Sequence, residues 1–172
     1  MFTTEYIISQ SLVVIASILL GCTYLTKNKN KIFILVICST LVFASEYIIL
    51  QLWEAVIINI IGIIRCIWFF INDKYNLKNT IVSLIVIEIL CIIASWYTFS
   101  DFISLLPTIA AISITFGLWQ SNIKIYRISA LIMDISFLLY NALQSPPLII
   151  GLILQIIMCT VGIISIVKIF TN

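Results

Sequence analysis

The chain has 172 residues, of which 63% are hydrophobic and 9% charged, with a net charge of +2 and a mean hydropathy of +1.24. Soluble domains carry about 25% charged residues, so this composition excludes a soluble enzyme or a nucleic-acid-binding module and specifies an integral membrane protein. No polar stretch is long enough to form a soluble domain beside the membrane one.

In chain order, the apolar runs predict seven spans at residues 7–25, 32–50, 53–71, 80–97, 102–119, 128–143 and 147–170. A span needs ~20 residues, so seven leave room only for short loops and make neighbouring helices antiparallel. The breaks between spans alternate in chemistry. Lys27, Lys29 and Lys31 follow the first span, Lys74 and Lys78 the third, Lys124 and Arg127 the fifth, and Lys168 closes the seventh. The intervening breaks, at Trp53-Glu54, Ser100-Asp101 and Gln144-Ser145-Pro146, carry no Lys or Arg. Short loops rich in Lys and Arg stay cytoplasmic, so the N-terminus is expected outside and the C-terminus inside. Tyr6, Tyr47, Trp53, Trp96, Tyr97 and Tyr140 fall at the expected outer edge, and Tyr24, Tyr75, Trp119 and Tyr126 at the inner one, as aromatic belts would.

The beginning of the chain holds Leu19-Leu20-Gly21-Cys22, a loose likeness of a lipoprotein processing box. The preceding stretch contains Glu5 and no Lys or Arg, the reverse of a signal-peptide start, so cleavage is not expected. The five cysteines, Cys22, Cys38, Cys66, Cys91 and Cys159, lie inside spans without CxxC spacing, and there is no histidine. They read as small packing residues, and neither a metal nor a cofactor is expected.

The chain also repeats itself in outline. Gly21, Lys31 and Leu35 lie over Gly117, Arg127 and Leu131 at an offset of 96, and Gln51 and Gly62 lie over Gln144 and Gln155 at 93. A three-span unit ends on the opposite side from its start, so one extra crossing is needed before a second copy can run the same way. The fourth span is expected to be that linker, giving two parallel three-helix repeats within one membrane domain: about 7–71, a linker at about 80–97, and about 102–170.

This layout resembles the SWEET and PQ-loop superfamily, in which parallel repeats are related by an axis along the membrane normal. More narrowly, Gln10 in the first span, Gly62 three residues before Arg65 in the third, and Leu105-Leu106-Pro107 opening the fifth resemble the YgjV-type bacterial inner-membrane family, over nearly the whole chain. That resemblance implies a multi-pass protein of the bacterial cytoplasmic membrane. PQ-loop helices bend at a Pro-Gln pair; here Pro107 is the candidate hinge without a following Gln, and Gln10 has Ser11 where the proline would align. SWEET-like proteins place paired asparagines on the third helix of each repeat. Here Asn59 and Gln155 occupy the third and seventh spans out of register, so sugar specificity does not carry over.

Intramembrane charges persist when paired or facing water. Arg65, Glu88 and Asp134 lie seven or eight residues from the inner ends of their spans, in one layer. Arg65 has two candidate partners: Glu88, which would brace the linker, or Asp134, which would join the repeats as a cytoplasmic gate. Glu46, near the outer end of its span, is expected to snorkel. Gln10, Asn59, Asn141 and Gln155 could bind a polar solute or glue helices together, and Gly62, Gly151 and Gly162 read as close-packing points. Catalysis lacks support, since a Ser-His pair, an aspartate pair and a metal set are all missing, and Lys168 sits too near the inner edge to hold retinal. Two functions remain open: a small secondary carrier of a polar metabolite between the repeats, or a non-transporting membrane subunit or sensor. The expected partners are the lipid bilayer and a small polar solute; oligomeric state is open. A Lys29→Cys variant lacking the native cysteines should resist an impermeant thiol reagent in intact cells and react after permeabilisation. Reaction in intact cells overturns the orientation.

Overall fold

A computed structural model describes residues 4–75, 77, 80–120, 122–144 and 148–171. It contains seven α-helices: α1 (Thr4–Leu25), α2 (Lys29–Ile49), α3 (Trp53–Lys74), α4 (Ile81–Thr98), α5 (Leu106–Trp119), α6 (Ile123–Leu143) and α7 (Ile149–Thr171), with a short 3₁₀ turn at Ile103–Leu105 before α5. No strand occurs among the described residues. Five of the helices, α1, α2, α3, α4 and α7, are long and apolar enough to cross a membrane. With its 3₁₀ turn α5 forms a shorter apolar unit, Ile103–Trp119, and α6 is 21 residues long but carries Lys124, Arg127 and Asp134. Lys78 and the expected start of the last span at Pro147 lie outside the described residues.

Local chemistry sets the helix ends. Asn28, Thr80 and Asn122 precede α2, α4 and α6, and each side chain accepts a backbone N–H of the first turn, satisfying a donor that the helix cannot. The α2 to α3 turn is a Schellman closure: the Gln51 N–H donates to the Ile48 carbonyl at 3.1 Å and the Leu52 N–H to that of Tyr47 at 3.0 Å. Gln51 sits in the left-handed region, with φ of 57°, as the residue after a helix often does.

Packing follows a ring. Each of α1, α2 and α3 contacts the next; α3 meets α5; α5, α6 and α7 continue the chain of neighbours; and α7 returns to α1. Helix α4 stands outside, against α3 and α5. Only Ile87, Cys91 and Ser95 of α4 are buried, while Ile81, Val82, Ile92 and Trp96 are exposed, the pattern of a helix whose outer face meets lipid.

Burial recurs at a fixed spacing. Adding 94 to the seven buried positions of α2 reaches six buried positions of α6, among them Tyr126, Met133 and Tyr140. Subtracting 93 from the four buried positions of α7, Gly151, Gln155, Met158 and Gly162, reaches Ile58, Gly62, Arg65 and Phe69, all buried in α3. Six of the eight buried positions of α5 likewise reach buried positions of α1 at 94, so Gly117 corresponds to Thr23 rather than to Gly21. The offset of 96 is therefore two residues too long for these helices, because it matched letters where packing selects faces.

Other expectations are corrected. Tyr24, Tyr47, Tyr126 and Tyr140 are buried core residues rather than belt aromatics, whereas Trp53, Tyr75, Trp96 and Tyr97 are exposed. Among the cysteines, Cys66 and Cys91 are buried, Cys22 and Cys159 half-buried and Cys38 exposed. The tightest glycine is Gly117, where an added Cβ would stand 2.6 Å from Ser129 Cβ; at Gly62 the nearest atom, on Arg65, is 3.5 Å away. Gly117→Ala should therefore force α5 and α6 apart and lose about 1–3 kcal/mol. Gly62→Ala should match or exceed wild type, because alanine favours helix by up to ~1 kcal/mol. Thermal unfolding of the purified protein in detergent compares them.

Candidate functional site

The six ring helices line a central cavity of about 60 Å³, room for roughly four to six waters at 10–15 Å³ each. Its wall draws on α1 (Val13, Ser17, Leu20), α2 (Ser39, Phe43, Tyr47), α3 (Asn59, Gly62, Arg65), α5 (Pro107, Ala111, Ile114), α6 (Phe137, Asn141) and α7 (Gly151, Gln155) among others. The shape follows from sequence. Small side chains at Ser17, Ala111 and Gly151 leave space that the apolar residues beside them do not fill.

Three of the expected pathway residues, Asn59, Arg65 and Gln155, line this wall together with the expected hinge Pro107. Arg65 is 4% exposed and reaches across the α3 to α5 seam. Its Nη1 donates to the Thr115 hydroxyl at 2.7 Å and the Ala111 carbonyl at 3.2 Å, while Nη2 approaches Cys66 Sγ at 3.8 Å. Neither expected ion pair of Arg65 forms. The salt bridge found among the described residues joins Lys29 to Asp73, at the neighbouring ends of α2 and α3. Arg65 turns toward α5, whereas Asp134 turns toward α1 and α7, and that divergence separates the two charges. Glu88 is half-buried on α4, outside the ring.

Asp134 is fully buried and outside the cavity wall, in a hydrogen-bonded cluster. It accepts from the Tyr24 hydroxyl and from Gln155 Nε2 at 2.9 Å. The Arg127 guanidinium lies 5.4 Å from the centre of the Tyr24 ring and donates to the Thr26 carbonyl at 3.2 Å. Three helices, α1, α6 and α7, are thereby tied at one depth. Gln155 belongs to both places, bordering the cavity while holding Asp134.

The remaining expected residues have local tasks. Gln10 Oε1 accepts the Ile150 N–H at 3.0 Å, a first-turn donor of α7 that would otherwise be orphaned, and so fastens α1 to α7. Asn59 Nδ2 donates to the Ala55 carbonyl of its own helix at 2.8 Å. Pro107 is the second residue of α5, just after the 3₁₀ turn, where its missing N–H has no partner to lose. It marks the start of a helix rather than a bend within one. Glu46 does not snorkel: it is fully buried, and neither carboxyl oxygen has a hydrogen-bond partner.

Sequence reasoning missed Tyr24, Thr115, Tyr140 and Glu54. Tyr140 donates to Glu54 Oε1 at 2.7 Å, joining α6 to the first turn of α3. Tyr24 read as a belt residue and Thr115 as part of an apolar run. The buried face of each helix carries the information that would have singled them out.

These bonds make a quantitative distinction. In a mutant cycle, Tyr24→Phe with Asp134→Asn should show coupling of about 1 kcal/mol or more, since each single change strands or weakens a buried acceptor. Arg65→Ala with Asp134→Asn should be additive within ~0.5 kcal/mol. Strong coupling in the second cycle would restore the gate pairing.

No curated protein and no solved structure matches this chain. A family described as "Bacterial inner membrane protein", Imp-YgjV, matches residues 7–172. That span takes in the helix ring, the outer helix and every residue of the cavity wall, and the chain accordingly belongs to the Imp-YgjV family of bacterial inner-membrane proteins.

Proposed function

We propose that the protein is a small secondary carrier that moves a polar solute through the central cavity, built as two parallel three-helix repeats joined by α4. The cavity wall carries this reading. Pairs of residues 93 or 94 apart both line it: Val13 and Pro107, Leu20 and Ile114, Phe43 and Phe137, Tyr47 and Asn141, Gly62 and Gln155. A passage lying on the axis between two like units is where secondary transporters bind their substrates. The order of neighbours in the ring maps onto itself when α1, α2 and α3 are exchanged for α5, α6 and α7, and α4, outside that exchange, suits an inversion linker. Seven crossings with the N-terminus outside complete the proposal, and the solute leaves chemically unchanged.

A second reading, a subunit or sensor working through protein contacts, draws support from Asp134, which is fully buried and hydrogen-bonded to neighbouring helices outside the cavity wall. The two readings part on solute movement. A library of small polar metabolites screened by thermal stabilisation of the purified protein should yield at least one stabilising compound. Proteoliposomes should take that compound up faster than protein-free vesicles do, and Phe43→Trp, which fills the cavity, should suppress uptake. Stabilisation without uptake, or no stabilising solute, favours the subunit.

A further inference from the structure

The cavity wall carries one charged side chain, Arg65. A guanidinium stays charged at any physiological pH, and a buried charge normally has a counter-charge close by. The acceptors that Arg65 finds are a hydroxyl, a carbonyl and a thiol, all uncharged, and its Nε has no partner at all. Glu88 on the outer helix is within electrostatic reach of Arg65 but forms no ion pair with it. Asp134 is taken by Tyr24 and Gln155. A cationic group thus stands at the edge of a hollow whose wall, among the described residues, holds no anion.

We infer that Arg65 is the anion-binding group of this cavity and that its ligand is a small organic monocarboxylate. A single unbalanced positive charge calls for one negative charge, and a guanidinium fork matches a carboxylate edge. The wall is mostly apolar, with Leu20, Ile58, Ile114 and Phe137 among its residues, and its other polar members, such as Thr40, Asn59 and Gln155, are neutral. Among the described residues it offers no second cation for a doubly charged phosphate or sulfate, whereas its apolar part suits a short hydrocarbon or keto tail. Space for roughly four to six waters admits an acid of about six heavy atoms, the size of pyruvate or butyrate. Thr115 and Ala111 hold Nη1 in place, and Nη2 has the weak 3.8 Å contact with Cys66 Sγ, which a carboxylate oxygen would replace. As the identity of the transported solute, this assignment rests on the carrier reading; as a binding site it stands without it.

The test uses the purified full-length protein in a chloride-free, carboxylate-free buffer, with pyruvate and butyrate as probes and pyruvamide and butyramide as their neutral twins. The acids should raise the unfolding temperature by several degrees in a saturable way, and the amides should not. Arg65→Gln should abolish the difference, and Arg65→Lys, which keeps the charge and loses the fork, should retain a weakened form of it. Equal shifts from acid and amide, or an undiminished difference in Arg65→Gln, overturn the inference. If Arg65→Gln does not fold, the acid against amide comparison on the wild type and Arg65→Lys still decides. Uptake of labelled pyruvate into proteoliposomes at pH 7.5 separates the two layers. Arg65-dependent binding without uptake removes the carrier reading and leaves the anion site, whereas uptake of a neutral solute with no acid-specific stabilisation does the reverse.

Discussion

Six helices can surround a hollow only if the ring closes, and in this protein closure falls on two seams between helices that are not consecutive in the chain. Every other neighbouring pair in the ring is joined by a short turn and brought together by connectivity alone. The seams between α3 and α5 and between α7 and α1 have no such help. In a bilayer the hydrophobic effect does not draw helices together, since lipid is as apolar as leucine, so packing and interhelical hydrogen bonds must do so. The α3 to α5 seam is crossed by Arg65 reaching Ala111 and Thr115. The α7 to α1 seam is crossed by Gln10 accepting the Ile150 N–H, with Met158 lying against the flat face at Gly21.

The same constraint sorts the buried polar groups. Inside a membrane an unpaired donor or acceptor costs several kcal/mol, and Asp134 meets that condition through two neighbours on two other helices. Its acceptor capacity is taken up by the scaffold. Arg65 spends only part of its hydrogen-bonding capacity on the seam, and it borders the cavity while doing so. That difference in occupancy, more than any difference in depth, separates a structural charge from one available to a ligand. Equal depth was the reason to pair Arg65 with Asp134, and it proved insufficient, because depth fixes one coordinate of a side chain while helix rotation fixes the other.

The sequence carried the number of helices and their limits within a few residues, since the apolar runs are long and the breaks between them hold Asn28, Thr80 and Asn122 as caps. Asn59, Arg65 and Gln155 were legible as cavity residues because polar side chains in apolar runs are few. The direction each one faces was not. A helix that is hydrophobic all round shows little periodicity by which to tell its lipid face from its core face, and this is why Tyr24 and Tyr140 read as belt residues and Glu46 as a snorkelling one. Pro107 misled for a related reason: a proline opening a helix and one bending it have the same one-letter context, and only the 3₁₀ turn at Ile103–Leu105 distinguishes them.

Positions 93 or 94 apart share burial while differing in chemistry. Glu46 and Tyr140 are both fully buried, as are Arg65 and Met158 to within a few per cent, and Gly62 with Gln155 and Tyr47 with Asn141 both border the cavity. Packing fixes which face of a helix is buried far more than it fixes the polarity of the residue there, so burial recurs at this spacing where chemistry does not. Arg65 borders the cavity, whereas Met158, 93 residues on, lies against Gly21 of α1 and outside the cavity wall. Among the described residues the guanidinium therefore meets no second charge across the hollow, and its hydrogen-bonding partners are the neutral groups of α5 and of Cys66.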